Sequence, residues 1–137
     1  MSQYYRAGDI VLWNPSSGVS RVFLGQVRLF EDDLSLASGV GPMEADECQV
    51  EIEHFSTFAQ ALLTYCSASN HQVLHALTDG FVITVLALAE RAGAEVRPSR
   101  IAGRQHDVQT GSGQAPSVET EAEVRHRAHA MLRSMPH

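Results

Sequence analysis

The stretch "CQVEIEHFSTFAQALLTYC", Cys48 to Cys66, changes its period partway along. Over the first five residues apolar and polar side chains alternate. Cys48, Val50 and Ile52 face one way and Gln49 and Glu51 the other, the pattern of a half-buried strand. From Phe55 the spacing widens to three and four, through Phe58, Ala59, Leu62, Leu63 and Cys66, which makes one stripe of an amphipathic helix. A strand that runs into a core-facing helix points to an α+β domain, and the flanking segments extend the pattern in both directions.

Upstream, "ASGVGPMEADE" (37–47) reads as a loop with two glycines, a proline and an acidic cluster. Before it, Val19, Val22, Phe23, Val27, Phe30 and Leu34 form a helical stripe. Gly25 sits inside that helix at a local cost of up to about 1 kcal/mol, and lets another backbone approach closely. "NPSSG" opens the helix, with Asn14-Pro15 as the turn and Ser16 or Ser17 as the cap. "DIVLW", Asp9 to Trp13, is a short strand after a turn at Gly8. Downstream, "SASN" ends the opening helix. Ser69 with Gln72 has the spacing of a capping box, so a new helix is expected to run from there to about Ala92 and stop at Gly93. It is apolar nearly all round from Phe81 to Ala89, as a helix in mid-core or in an oligomer interface would be, and it is read as continuous through Asp79-Gly80.

The expected order is β-α-β-α-α, a small two- or three-stranded sheet packed on helices, with a flexible C-terminal tail. Two strands alone are only marginally stable. Either Tyr4 to Arg6 extends the first strand, or a second chain supplies the neighbours. The compact α+β domain is expected over residues 1–96, and residues 97–137 form an Arg/His/Gly-rich tail. Within it "GRQHDVQTGSGQAPS" (103–117) has the composition of a disordered segment. A helix is expected over 119–134, either docked or weakly formed, on the thin face of Val118, Ala122, Val124, Ala128, Met131 and Leu132.

At 137 residues and 44% apolar, the chain suits one domain with one core. Its net charge of −6 is unevenly spread. Residues 1–96 hold twelve acids against four arginines, and eight of those acids fall between Phe30 and His54, where there is no arginine. An acidic body repels phosphate backbones, so no nucleic-acid partner is expected. The apolar run Phe81–Ala89 is too short to cross a bilayer, and "MSQYYRAGDI" lacks the basic and apolar regions of a secretory signal. The expectation is a cytoplasmic protein with no membrane partner, whose two cysteines stay reduced.

Three segments, "GDIVLWNPSSGVSRVF", "GPMEADECQVEIEHF" and "HALTDGFVITVLALAERAG", carry a resemblance. With its LWNP-type turn and acidic GPM-type loop, the chain resembles, over roughly residues 4–96, a family of small uncharacterised bacterial proteins. The resemblance implies one compact domain and assigns no catalytic or binding residue.

Three candidate sites stand out. His71 and His75 project about 40° apart on a helix and Asp79 follows at the same interval, so three ligands for zinc or another divalent metal line one edge. A full site needs a further ligand, and Cys66 belongs to the apolar stripe instead. The plainer reading is a pair of surface histidines at a helix cap, and no cofactor is expected. Ser16, Ser17 and Gly18 at a helix N-terminus, with Arg21, have the groups of an anion site, although no Walker or Rossmann glycine spacing accompanies them. The acidic set Glu44, Asp46, Glu47, Glu51 and Glu53 lacks EF-hand register, and reads as a patch that meets a basic protein. No GxSxG elbow or local cysteine signature marks a nucleophile.

These features favour a small acidic protein-binding module, homodimeric through its apolar helix or a strand edge, or immunity-like in blocking a toxin's basic site. The latter rests on analogy. The alternative is a small enzyme or ligand-binding protein with a His/Asp site between helices.

Overall fold

Gly8 adopts a left-handed backbone (φ 61°) and turns the chain back on itself. The strands β1 (Tyr4–Ala7) and β2 (Ile10–Trp13) therefore form an antiparallel hairpin, bulged between Tyr5 and Arg6. The structure, a computed structural model, describes residues 2–96 and 121–137. The third strand, β3 (Glu47–Gln49), pairs in parallel with β1, giving the sheet order β2-β1-β3. Tyr4 to Ala7 is thus a strand in its own right, at the centre of the sheet. Tyr5 and Ala7 alternate inward, so the third strand comes from within the chain.

Ser16 caps α1 (Ser17–Leu34), its hydroxyl accepting from the Val19 N–H at 3.4 Å. Phe23, Val27 and Phe30 are buried as the stripe predicts, but Val19 and Val22 are 51% and 64% exposed. The buried line runs through Ser20 instead. Its hydroxyl meets the Tyr5 hydroxyl at 2.7 Å, and both residues are fully buried. A polar pair placed in the core turns the helix away from its most apolar register, because each hydroxyl satisfies the other.

That pair makes a prediction. Tyr5→Phe strands the Ser20 hydroxyl and is expected to cost about 1–2 kcal/mol in urea unfolding. Adding Ser20→Ala should recover most of this, because the orphaned group goes too. Burial also pushes the Tyr5 phenol up to about 12 from an ordinary 10. The folded state then holds the phenol's proton more tightly than the unfolded chain does. This contribution is fully present below pH 10, is lost as pH rises through 12, and should be missing from Tyr5→Phe.

The helix α2 (Ile52–Ala68) begins one residue after Glu51, its N-cap. Ile52 is already helical and 38% exposed, so the alternation read from Cys48 to Ile52 ends at Val50. All six residues of the α2 stripe, Phe55 to Cys66, are buried. The helix α3 (Gln72–Arg91) is continuous through Asp79-Gly80. Its N-cap is His71 and not Ser69: the His71 Nδ1 accepts from the Leu74 N–H, and Ser69 Oγ accepts from the His71 N–H. It ends as expected beside Gly93, whose φ of 77° lets the Ala94 N–H reach back to the Ala89 carbonyl at 2.8 Å.

A further helix, α4 (Glu121–Ser134), lies within the span expected for the tail helix, and it packs on α3. Ala128 and Met135 are buried in the core, and Val124, Met131 and Leu132 pack against it. The stretch 103–117, expected to be disordered, lies outside the described residues. The element order is therefore β-β-α-β-α-α-α, an α+β fold.

The core centres on α3. Phe81 stacks on Phe30 at 5.5 Å and meets Phe23 at 5.6 Å, while Trp13 and Tyr5 close the aromatic cluster. By length and mean hydropathy (20 residues, 1.6) α3 is apolar enough to cross a membrane. Here it packs against α2, α4 and β2, and its Phe81 meets the α1 rings.

Candidate functional site

Backbone and side-chain hydrogen bonds bring the acidic ends of α1 and α2 to one corner. Glu31 in the last turn of α1 accepts from both the Ser38 N–H (2.9 Å) and the Ser38 hydroxyl (2.7 Å). The next residue, Gly39, accepts from the Glu51 N–H at 2.8 Å. This relay ties the C-terminus of α1, with Glu31, Asp32 and Asp33, to the N-terminus of α2, with Glu51 and Glu53. Beyond it, Glu44 and Glu47 exchange backbone hydrogen bonds across a tight turn, with Ala45 and Asp46 both left-handed. Glu44, Glu47, Glu51 and Glu53 are exposed, and Asp46 is half-buried.

Some of these acids have local partners. Glu47 pairs with Arg6 at 3.4 Å, Glu51 with His54 at 2.9 Å, and Asp46 accepts from the Gln3 side chain at 3.2 Å. The helix dipoles treat the two ends differently. Glu53 in the first turn of α2 sits where negative charge is favoured. Asp32 and Asp33 sit near the C-terminus of α1, where it is disfavoured, and the last turn holds no basic residue.

The anion candidates divide. Ser16 is occupied as the α1 cap. Ser17, Gly18 and Arg21 line an open cleft of about 580 Å³ beside α1. The anion-site reading missed five of its members, Gln3, Leu24, Gly25, Arg28 and Met43. Arg28 lies seven residues after Arg21, two helical turns on and on the same face, which is the signal that would have found it. A second cleft, of about 340 Å³, lies between α3 and α4 and includes Glu90, Arg125 and His129. His129 bonds Glu90 across it.

The metal candidates are each engaged separately. His71 caps α3, His75 Nε2 donates to the Ser69 carbonyl at 2.5 Å, and Asp79 pairs with Arg127 of α4 and not with His75. Among the described residues no group of three or more His, Cys, Asp or Glu is arranged to hold a metal ion. His71, His75 and Asp79 line neither of the two clefts.

Both cysteines are buried and free. Burial pushes the Cys48 thiol up to about 11 although its Sγ–H reaches the Gly41 carbonyl, and burial raises Cys66 as well, against its contact with Thr78. Neither forms a thiolate near neutral pH, so neither is an activated nucleophile. Cys66 turns into the core, as its place in the stripe predicts.

No curated protein and no solved structure matches the chain. A family model does match, and it runs past Val96 through the C-terminal helix, further than the sequence resemblance reached. Over residues 1–137 the chain belongs to a family of unknown function, DUF6086.

Proposed function

We propose that this protein is a small acidic docking module whose corner between α1, the 37–47 loop and α2 receives a basic protein. The observation that carries the reading is the Glu31–Ser38–Gly39–Glu51 relay, which gathers the acidic ends of two helices and leaves Asp32 and Asp33 against an unfavourable dipole. A cationic partner relieves that repulsion, and complementary charge speeds and orients encounter. Two buried, unpaired thiols fit a reducing bacterial cytoplasm as the setting.

The test compares the native protein with Glu44→Gln/Glu51→Gln/Glu53→Gln in capture from its native cell extract. A single basic protein should be retained stoichiometrically at low salt, released by salt, and lost from the triple variant. Retention unchanged by either salt or the substitutions would sink the reading. These residues are exposed, so the triple variant should melt within about 1 kcal/mol of the parent.

A further inference from the structure

The outward side of α1 has an organisation that the domain's own packing does not explain. Gly18, Gly25 and Asp32 recur every seven residues along its middle and are all exposed. Arg21 and Arg28 flank this line on one side, and Val22 and Leu29, 64% and 55% exposed, flank it on the other. Glycine is a poorer helix former than alanine, so Gly25 weakens the helix it sits in. A Cβ built there meets nothing within 4 Å, so no contact inside the domain calls for glycine. Close approach of a second helix does call for it.

We propose that two copies of this chain pair through this face of α1, antiparallel about a two-fold axis at Gly25. Charge decides the direction. A parallel pair sets Asp32 against Asp32 along the middle line, whereas the antiparallel pair sets Asp32 over the partner's Gly18. A two-fold axis perpendicular to the helices keeps like edges together. Val22, three residues before the axis, then meets the partner's Leu29, four after it, and the apolar edge becomes a continuous seam. On the other edge Arg21 lies about 4.5 Å along the axis from the partner's Asp32, at 1.5 Å rise per residue, within reach of a guanidinium. Arg28 has Glu31 of its own chain at 3.8 Å to offset the approach of the partner's Arg21. The pairing also neutralises one of the two aspartates stranded at the α1 C-terminus. It leaves Glu44, Glu47, Glu51 and Glu53 free, so it stands independently of the docking reading.

The test is light scattering and sedimentation equilibrium on the full chain, from micromolar to near-millimolar concentration. The mass should rise from 14.9 kDa toward twice that value. Asp32→Arg should weaken association by about tenfold or more, through like-charge contact with the partner's Arg21, and adding Arg21→Asp should recover most of the loss. Gly25→Leu should abolish association while raising the melting temperature of the monomer, since leucine is the better helix former and a Cβ at this exposed position meets nothing within 4 Å. A monomer at every concentration overturns the proposal. So does a dimer indifferent to Gly25→Leu, or a double reversal no better than Asp32→Arg alone.

Discussion

Arg91→Met is expected to lower unfolding free energy by about 3 kcal/mol, since three charge-assisted hydrogen bonds are lost from one part-buried junction. One guanidinium nitrogen of Arg91 donates to the Leu12 carbonyl at 2.6 Å and to Met135 at 3.1 Å. The other donates to Leu132 at 2.9 Å. Leu12 belongs to β2, an edge strand, and the others belong to the last turn and exit of α4. A carbonyl row that would otherwise be an open sheet edge and an uncapped helix end is satisfied by one side chain from α3. Asn14 completes the junction by donating its N–H to the Pro136 carbonyl at 2.8 Å.

Burial lowers the Arg91 pKa from its ordinary value, yet an arginine stays charged throughout the folding range. Arg91→Lys should therefore recover only part of the loss, because one ammonium cannot reproduce the planar fork across three carbonyls. Two measurements separate the effects. Urea unfolding gives the global cost, and trypsin cleavage after Arg125, Arg127 and Arg133 reports release of α4. The junction would be shown not to hold α4 if Arg91→Met left cleavage there as slow as in the parent.

The elements with a strong period were legible in the sequence. The α2 stripe is buried residue for residue, and α3 runs unbroken to Gly93, because burial of apolar surface sets both. The first strand was not legible as a separate element. "YYRA" is too short to show a period, and its place is fixed by pairing on both sides, which no local pattern records. The α1 face was misread at Val19 and Val22, since the Tyr5–Ser20 pair favours a register that hydrophobicity alone disfavours. Capping by His71 escaped because Ser69 offered the commoner signature two residues earlier.

The candidate sites follow the same logic. Residues adjacent in sequence, such as Ser17, Gly18 and Arg21, do line one cleft, while Gln3 and Met43 join it from distant segments. The i,i+4 spacing of His71, His75 and Asp79 was real, but spacing alone does not fix partners. Each side chain found a nearer one, two of them in backbone groups and the third in Arg127, 48 residues away. The acidic cluster was visible as composition. Its convergence was not, because it depends on Gly39.

Gly39→Ala should be severely damaging, costing about 3 kcal/mol or more. Two costs combine. At φ 78° the backbone is left-handed, which disfavours any residue with a Cβ by about 1–2 kcal/mol. A Cβ at this position would also lie 2.6 Å from the Glu51 carbonyl oxygen, 2.9 Å from the His54 Cβ and 3.0 Å from the Phe55 nitrogen. None of those atoms is the loose end of a side chain. The Glu51 carbonyl accepts the first hydrogen bond of α2, from Phe55 at 2.9 Å, so it cannot retreat without fraying the helix. Gly8 and Gly93 supply the control. They share the left-handed backbone (φ 61° and 77°), but a Cβ at either meets nothing within 4 Å. Their alanine variants should lose only the conformational part, about 1–2 kcal/mol each. Comparing the three by urea unfolding isolates the steric part, and equal losses would show that the contact with α2 carries no weight. The same variant bears on function. Displacing Gly39 separates the acidic end of α1 from that of α2, so any surviving folded Gly39→Ala should bind the basic partner more weakly while keeping every charge.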